Sequence, residues 1–377
     1  MNTLRMVLLN PGPVTITETV RQALTGPDAC PREPEFKALI GRVAQRLVDV
    51  VHGGPAYAAV ILEGSGTAAL EACMSSVVPP DGTLLVVANG GYGERLCQIA
   101  GTHRIAVVPY RVPWGACVDL AAIETLLAQH RGRVSHVAWV HHETTTGHLN
   151  PLGELADLAR KHGAATIVDA MSSYAGLPIN LQELKVDYLI ASASKCMQAV
   201  AGLSFVIYRR QALLDGADVP ARSFYLDLRA QAEFLQTASA MRFTAPVQLY
   251  YALEQALIEW SQETEWGRFS RYLENHTVLV DGLAELGFRF AEPPERSARL
   301  VTVVAEPTHP AYRFQAMHDH VYRCGYTVYP DKGSQAGTFR LANIGAIDRH
   351  DIAGFLQALR QYLHQHGLLG QLYSGRD

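Results

Sequence analysis

The sequence predicts an α/β protein with a mostly parallel central sheet covered by helices on both faces, followed by a smaller α+β C-terminal domain. Three observations carry this. From Ala58 to about Tyr208, short apolar runs alternate with helix-patterned segments, the rhythm of parallel strands joined by helical crossovers. The runs are rich in Val, Ile and Leu, which suits strands covered on both faces. Beyond about Arg209 the rhythm gives way to longer helices and then to a short mixed segment.

In chain order, the apolar run Ala58 to Leu62 leads into Gly64-Ser65-Gly66-Thr67 and a helix-like segment from Ala68 to Met74. Strands are expected at Thr83 to Ala88, Ile105 to Tyr110, Val134 to Val140, Ala165 to Asp169, Tyr188 to Ala191 and Ser204 to Tyr208. Asp119 should cap a helix running to Gln129. Asn150 is positioned to cap the next, with Pro151 in its first turn, Leu152, Leu155 and Leu158 on one face, and Gly163 as the stop. Longer helices follow at Val247 to Glu259 and Phe269 to Leu286. A strand at Leu300 to Val304, another near Tyr326 to Tyr329 and a helix from Arg349 to His364 complete the smaller unit. The expected division is 1–265, including a substrate-side segment 1–36, and 266–377, although no Pro/Gly-rich linker marks it.

Composition narrows the function. The 377 residues carry 32 Lys+Arg against 36 Asp+Glu, a net charge of -4, which argues against electrostatic binding of nucleic acid or membranes. Charged residues are only 18% and hydrophobic ones 48%, so disorder is not expected, and part of the surface is expected to be buried against another chain. No run approaches the ~20 apolar residues of a membrane helix. The first residues break at Pro11-Gly12-Pro13 before any cleavage site and read as mature cytoplasmic protein. Six scattered cysteines lack zinc-like or Cys-x-x-Cys spacing, as expected for reduced thiols. His141-His142-Glu143 and His318-Asp319-His320 lack the i, i+4 spacing that converges on a metal, and read as surface or packing histidines.

Three places carry chemistry. Gly64-Ser65-Gly66-Thr67 at a helix start presents unpaired N–H groups and the positive dipole end, a site suited to phosphate, although a tight strand-to-helix turn explains the glycines nearly as well. Asp169 ends a buried-looking strand, where open α/β sheets place their ligands, or else caps the following helix. Lys195 ends the next strand between apolar segments, and a lysine is seldom buried without a purpose. Together they meet the needs of pyridoxal 5'-phosphate: a lysine to hold it covalently, an acid for its ring nitrogen and donors for its phosphate. Lys195 would also move the substrate's proton as general base and acid.

Eight segments in order resemble the class V (fold type I) pyridoxal-phosphate aminotransferases: Leu9-Asn10-Pro11-Gly12-Pro13, Gly64 to Thr67, Asn89-Gly90-Gly91-Tyr92-Gly93, His142-Glu143-Thr144-Thr145-Thr146-Gly147, Val168 to Ser173, Ser194-Lys195-Cys196, Arg242-Phe243-Thr244-Ala245-Pro246 and Phe339 to Gly345. The resemblance implies that Tyr92 stacks on the cofactor ring and Thr145 meets its phenolic oxygen. It further implies that Ser65, Gly66, Thr67 and Ser194 hold the phosphate, and that Arg340 and Gly12 bind substrate. Thr244 would reach the phosphate of a neighbouring subunit, implying a homodimer with shared active sites. Bland readings remain for Tyr92 as core, Thr145 as a turn residue, Thr244 as a helix cap and Arg340 as an exposed strand residue.

The Glu-Thr-Thr-Thr-Gly and Asp-Ala-Met-Ser-Ser versions look like members acting on aminophosphonates. The implied reaction moves the amino group of 2-aminoethylphosphonate to pyruvate; another small amine, or a lyase reaction on the same scaffold, is the alternative. Departures from the pattern fall near the substrate: Cys30-Pro31-Arg32-Glu33-Pro34-Glu35-Phe36, Ser194 where an Asn is usual, and Ala245-Pro246-Val247-Gln248. Arg32 is a second anion contact or, by a slight preference, a solvated loop charge.

Overall fold

The computed structural model describes residues 5–291, 297–329 and 337–373. Its strands, in chain order, are β1 (Val7–Leu8), β2 (Tyr57–Glu63), β3 (Thr83–Ala88), β4 (Ala106–Arg111), β5 (Val134–Val140), β6 (His142–Glu143), β7 (His148–Leu149), β8 (Ala165–Asp169), β9 (Tyr188–Ser192), β10 (Leu203–Arg209), β11 (Val301–Ala305), β12 (Tyr326–Thr327) and β13 (Thr338–Ala342). Seven form the central sheet in the order β2-β10-β9-β8-β5-β3-β4. Only β10 runs antiparallel to its neighbours, so the expected mostly parallel sheet is present.

Alternation along the strands builds a core on each face. Leu85, Val87, Val168, Leu189, Phe205 and Ile207 pack into one apolar cluster. Their neighbours Leu84, Val86, Ile167, Ile190 and Val206 pack into the other. This is why the strand sequences read as unbroken apolar runs. Because the chain leaves β3 for β4 and returns on the other side of β3 as β5, the strand order reverses between β3 and β5. Such a reversal parts the loops at the C-terminal ends of the strands and leaves a crevice there.

Of two expected helix caps in this unit, one is present and one is not. Asp119 does cap the helix Leu120–Gln129, accepting from the N–H groups of Ala121 and Ala122. Asn150 does not cap Leu152–Lys161, whose N-cap is Pro151. The Asn150 side chain instead exchanges hydrogen bonds with Asn89 and donates to the carbonyl of Val140 at 2.7 Å. A buried carbonyl at the end of β5 needs a donor, whereas a helix start can be left to solvent.

The C-terminal unit pairs β11 with β13 in antiparallel fashion over a cluster that includes Leu279, Leu283, Phe339, Leu341, Phe355 and Tyr362. Phe339 and Leu341 enter that cluster, so the period of two turns Arg340 to the opposite face. The start of the chain, expected with the large unit, is shared: Val7–Leu8 pairs in parallel with Tyr326–Thr327, and Leu9 joins the C-terminal cluster. The border expected near Trp266 falls in the first turn of the helix Glu265–Glu285. That helix buries Tyr272 against Leu177 and Cys196 and, further along, Leu279 and Leu283 in the C-terminal cluster. A continuous helix across the junction accounts for the missing linker composition.

The helix Gly91–Thr102 rides directly on β3. A β-carbon on Gly93 would lie 2.7 Å from Ala88 Cα and 2.9 Å from the Val87 carbonyl oxygen, backbone atoms that cannot yield. Gly93→Ala is expected to lower stability by about 1–3 kcal/mol. Thermal unfolding measures this, and an unchanged midpoint would show that the helix can lift off β3 freely.

Candidate active site

A cavity of about 330 Å³ opens at the C-terminal ends of β2, β5, β8 and β9, in the crevice that the strand reversal creates. Gly12, Ser65, Gly66, Thr67, Tyr92, Asp169, Ser194 and Lys195, all singled out from sequence, line it.

Asp169 ends β8 and is 3% exposed. One carboxylate oxygen accepts from the Met171 N–H at 2.9 Å, and Lys195 and Arg95 are the cations near enough to lower its pKa. Burial is the main cause that pushes its pKa up to about 7, with Glu143 adding to the rise. The Met171 N–H, Lys195 and Arg95 oppose it. A carboxyl held this way is stabilised by any cation set beside it.

Lys195 follows β9, and its amine donates to the Pro11 carbonyl at 2.7 Å. Burial brings its pKa down to about 8; Cys196 and Asp169 oppose the fall, and Arg340 and Arg95 deepen it. The amine is therefore about half neutral near pH 8 and able to act as nucleophile or base. Gly12, at φ +139°, lies against this side chain so closely that a β-carbon there would fall 2.7 Å from Lys195 Cε. Its glycine keeps the lysine's path open.

The turn expected to hold phosphate lines the cavity. The Ser65 carbonyl accepts from the Ala68 N–H at 2.9 Å while its hydroxyl makes no cap bond, and the N–H groups of Gly66 and Thr67 are left for a ligand. A β-carbon on Gly66 would meet the end of the Met171 side chain, which would have to shift.

Three expected residues lie outside the cavity wall. The Thr145 hydroxyl accepts from the Gly91 N–H at 2.9 Å and donates to Glu143 Oε1 at 2.6 Å, so it is engaged in holding the loop rather than turned to the cavity. Arg340 is half-buried on β13 and donates to the Thr144 carbonyl, close enough for its charge to depress Lys195. Thr244 is exposed and is not the cap of Val247–Glu263, whose N-cap is Pro246. Arg32 is exposed as well, away from the cavity.

Sequence reasoning missed several neighbours. Glu143 is fully buried and accepts from the N–H groups of Tyr92 and Gly93, each at 3.0 Å, and from both the N–H and the hydroxyl of Thr145. It thereby fastens the start of the helix that carries Tyr92. Arg95 sits 4.7 Å from the centre of the Tyr92 ring and lines the cavity. Its place one turn after Tyr92 was the available signal. Tyr329 donates to the Gly12 carbonyl. His142, read from sequence as a packing residue, lines the cavity too.

The profile of the family described as aminotransferase class-V matches residues 34–320. The chain belongs to the class V aminotransferase family. The 2-aminoethylphosphonate–pyruvate transaminase of Klebsiella pneumoniae is 39% identical over 362 residues, covering 95% of this chain and 98% of its own. The 2-aminoethylphosphonate–pyruvate transaminase 1 of Burkholderia lata is 39% identical over 368 residues, with 97% and 98% covered. Among solved structures, the alanine–glyoxylate aminotransferase of Nostoc sp. matches with a TM-score of 0.89 at 27% identity, covering 96% of each chain. The ureidoglycine–glyoxylate aminotransferase of Bacillus subtilis reaches the same TM-score at 24% identity, a likeness of fold alone. This class V aminotransferase thus has the fold type I architecture.

Asp169 makes the cofactor-free protein sensitive to pH. Its folded pKa of about 7 lies above the ordinary value of 3.8, so between those values the folded state binds the proton that the unfolded state has released. Stability from this group is full below about pH 4 and is lost as pH rises towards 7. Asp169→Asn should remove that slope and be the more stable protein above pH 7, by on the order of 2–4 kcal/mol. Denaturant titrations of both proteins without cofactor, at pH 5 and 8, measure it; parallel curves would refute it.

Proposed function

We propose that this class V aminotransferase holds pyridoxal 5'-phosphate and moves the amino group of 2-aminoethylphosphonate to pyruvate, giving phosphonoacetaldehyde and L-alanine. The substrate assignment is carried by 39% identity over 95% of the chain to a transaminase of that name. The cofactor assignment is supported by the cavity itself. Asp169 is a buried carboxylate lacking an ion pair, as the protonated ring nitrogen requires; Lys195 is a lysine with a lowered pKa; and a helix start offers N–H groups to the phosphate.

When bound, pyridoxal phosphate withdraws electrons from the carbon bearing the substrate's amino group, so that the proton there becomes removable. Asp169 holds the positive ring nitrogen and sustains that withdrawal. Lys195, whose pKa burial lowers to about 8, would take that proton and deliver it on the far side of the amino nitrogen, the shift that turns an amine into a carbonyl. Tyr92 provides an aromatic face on the cavity wall, with Arg95 beside it. Ser65, Gly66, Thr67 and Ser194 hold the phosphate. Arg340 grips the phosphonate of one substrate and the carboxylate of the other in turn, since a planar guanidinium pairs with either. Gly12 leaves room for the substrate beside Lys195.

Exposed Thr244, which makes no helix cap, supports a homodimer in which it reaches the partner subunit's phosphate site. The six cysteines are unpaired, in keeping with a cytoplasmic enzyme. Among the described residues no helix is long and apolar enough to cross a membrane.

A screen of amino donors with pyruvate, reading alanine and aldehyde, tests the assignment. Turnover of 2-aminoethylphosphonate is expected; turnover of other amines alone would return the enzyme to its family without this substrate. Arg340→Ala should raise KM for both the amine and pyruvate roughly 10- to 100-fold with cofactor uptake intact. Unchanged KM values for both would remove Arg340 from the substrate site.

A further inference from the structure

Lys195 and Arg95 are the two lysine or arginine side chains that line the active-site cavity. Lys195 serves as nucleophile and base. The Arg95 guanidinium lies over the Tyr92 ring, 4.7 Å from its centre, and among the described residues it makes neither a hydrogen bond nor an ion pair. The ring face steadies the group and leaves its N–H donors for an anion.

The backbone directs Arg95 to this place. It begins the second turn of the helix Gly91–Thr102, and long side chains on a helix lean towards its N-terminus, here towards Tyr92 and the cavity. That helix packs against Gly66–Val77, whose start belongs to the Gly64 to Thr67 turn, and Leu70 from its second turn stands in the same wall as Arg95. The Arg95 charge reaches across the cavity, lowering the pKa of Asp169 and adding to the fall of that of Lys195.

Both molecules assigned to the site carry a tetrahedral phosphorus oxyanion, the phosphate of the cofactor and the phosphonate of the amino donor. A phosphate monoester holds roughly -1.5 to -2 charge near pH 7. The Gly64 to Thr67 turn offers such a group N–H and hydroxyl donors but no full positive charge. A guanidinium supplies one and matches two of the oxygens at once.

We propose that Arg95 binds a phosphorus oxyanion in this cavity, pairing through its N–H groups with the phosphate of the cofactor or the phosphonate of the amino donor. This rests on the cofactor and substrate reading made above. The singly charged carboxylate of pyruvate is left to Arg340.

Two variants of the full-length protein test the assignment: Arg95→Met, which keeps an apolar stem over Tyr92 without the charge, and Arg95→Lys, which restores the charge. Uptake of pyridoxal 5'-phosphate and of unphosphorylated pyridoxal is followed by visible absorbance, and KM for 2-aminoethylphosphonate and for pyruvate is measured at saturating cofactor. With the cofactor phosphate as partner, Arg95→Met binds pyridoxal phosphate roughly 10- to 100-fold more weakly and pyridoxal as well as the wild type does. With the phosphonate as partner, KM for 2-aminoethylphosphonate rises by a similar factor and KM for pyruvate does not. Arg95→Lys recovers part of whichever is lost, and either pattern supports the assignment. Arg95→Met that matches the wild type throughout, or that weakens pyridoxal and pyridoxal phosphate alike as a structural role through Tyr92 would, overturns it and leaves the aminotransferase reading standing. A wild-type protein that takes up no pyridoxal phosphate overturns both.

Discussion

A carboxylate buried without a cation is the constraint around which this site is organised. Asp169 lies at the end of a strand covered on both faces, where among the described residues its one hydrogen bond comes from the Met171 N–H. In water such a group would be ionised at neutral pH; here burial lifts it to about 7. The sheet can hold it because β8 lies between β5 and β9, whose own hydrogen bonds fix the strand end. Lys195 and Arg95 moderate the cost without pairing with it, which leaves the carboxylate for a ligand.

A second buried carboxylate gives the site its shape. Glu143 receives four hydrogen bonds, two from the start of the Tyr92 helix and two from Thr145, all at 2.6–3.1 Å. Gly90, against the Glu143 side chain, and Gly93, against β3, let the helix come close enough for this clamp to form. The motif around Glu143 thus acts largely as scaffold. Its negative charge also helps keep the Asp169 pKa high, so the clamp influences chemistry through electrostatics as well as position.

The helix Glu265–Glu285 connects the two halves of the site. Arg268 donates to the Cys196 carbonyl, next to Lys195, and shares Glu263 with Arg271. Arg271 donates to the carbonyls of Gly345 and Ile347, just beyond the strand of Arg340. Tyr272 accepts from Gln198 and from the Gly345 N–H. Arg271 and Tyr272 lie three and four positions after Arg268 and so share one helix face with it. That face ties the lysine loop to the segment following β13, and with it the spacing between Lys195 and Arg340. Nothing in the local sequence around Lys195 signals a partner more than seventy residues away.

The sequence by itself determined the elements of the sheet and singled out eight of the residues that line the cavity. Apolar runs located every strand of the central sheet, because strands buried on both faces leave a signal that does not depend on their partners. Asp169, Lys195 and the Gly64 to Thr67 turn were legible because each places an unusual residue type at the end of such a run. Only the tertiary structure decided which polar side chains face the cavity and which serve the scaffold. Asn150 looked like a helix cap and is a buried partner of Val140. The Thr145 hydroxyl is bonded to Glu143 and the Gly91 N–H, and His142, read as a surface or packing residue, is buried in the cavity wall. Hydrogen-bond direction depends on atoms brought together from distant parts of the chain, and local spacing holds no record of them.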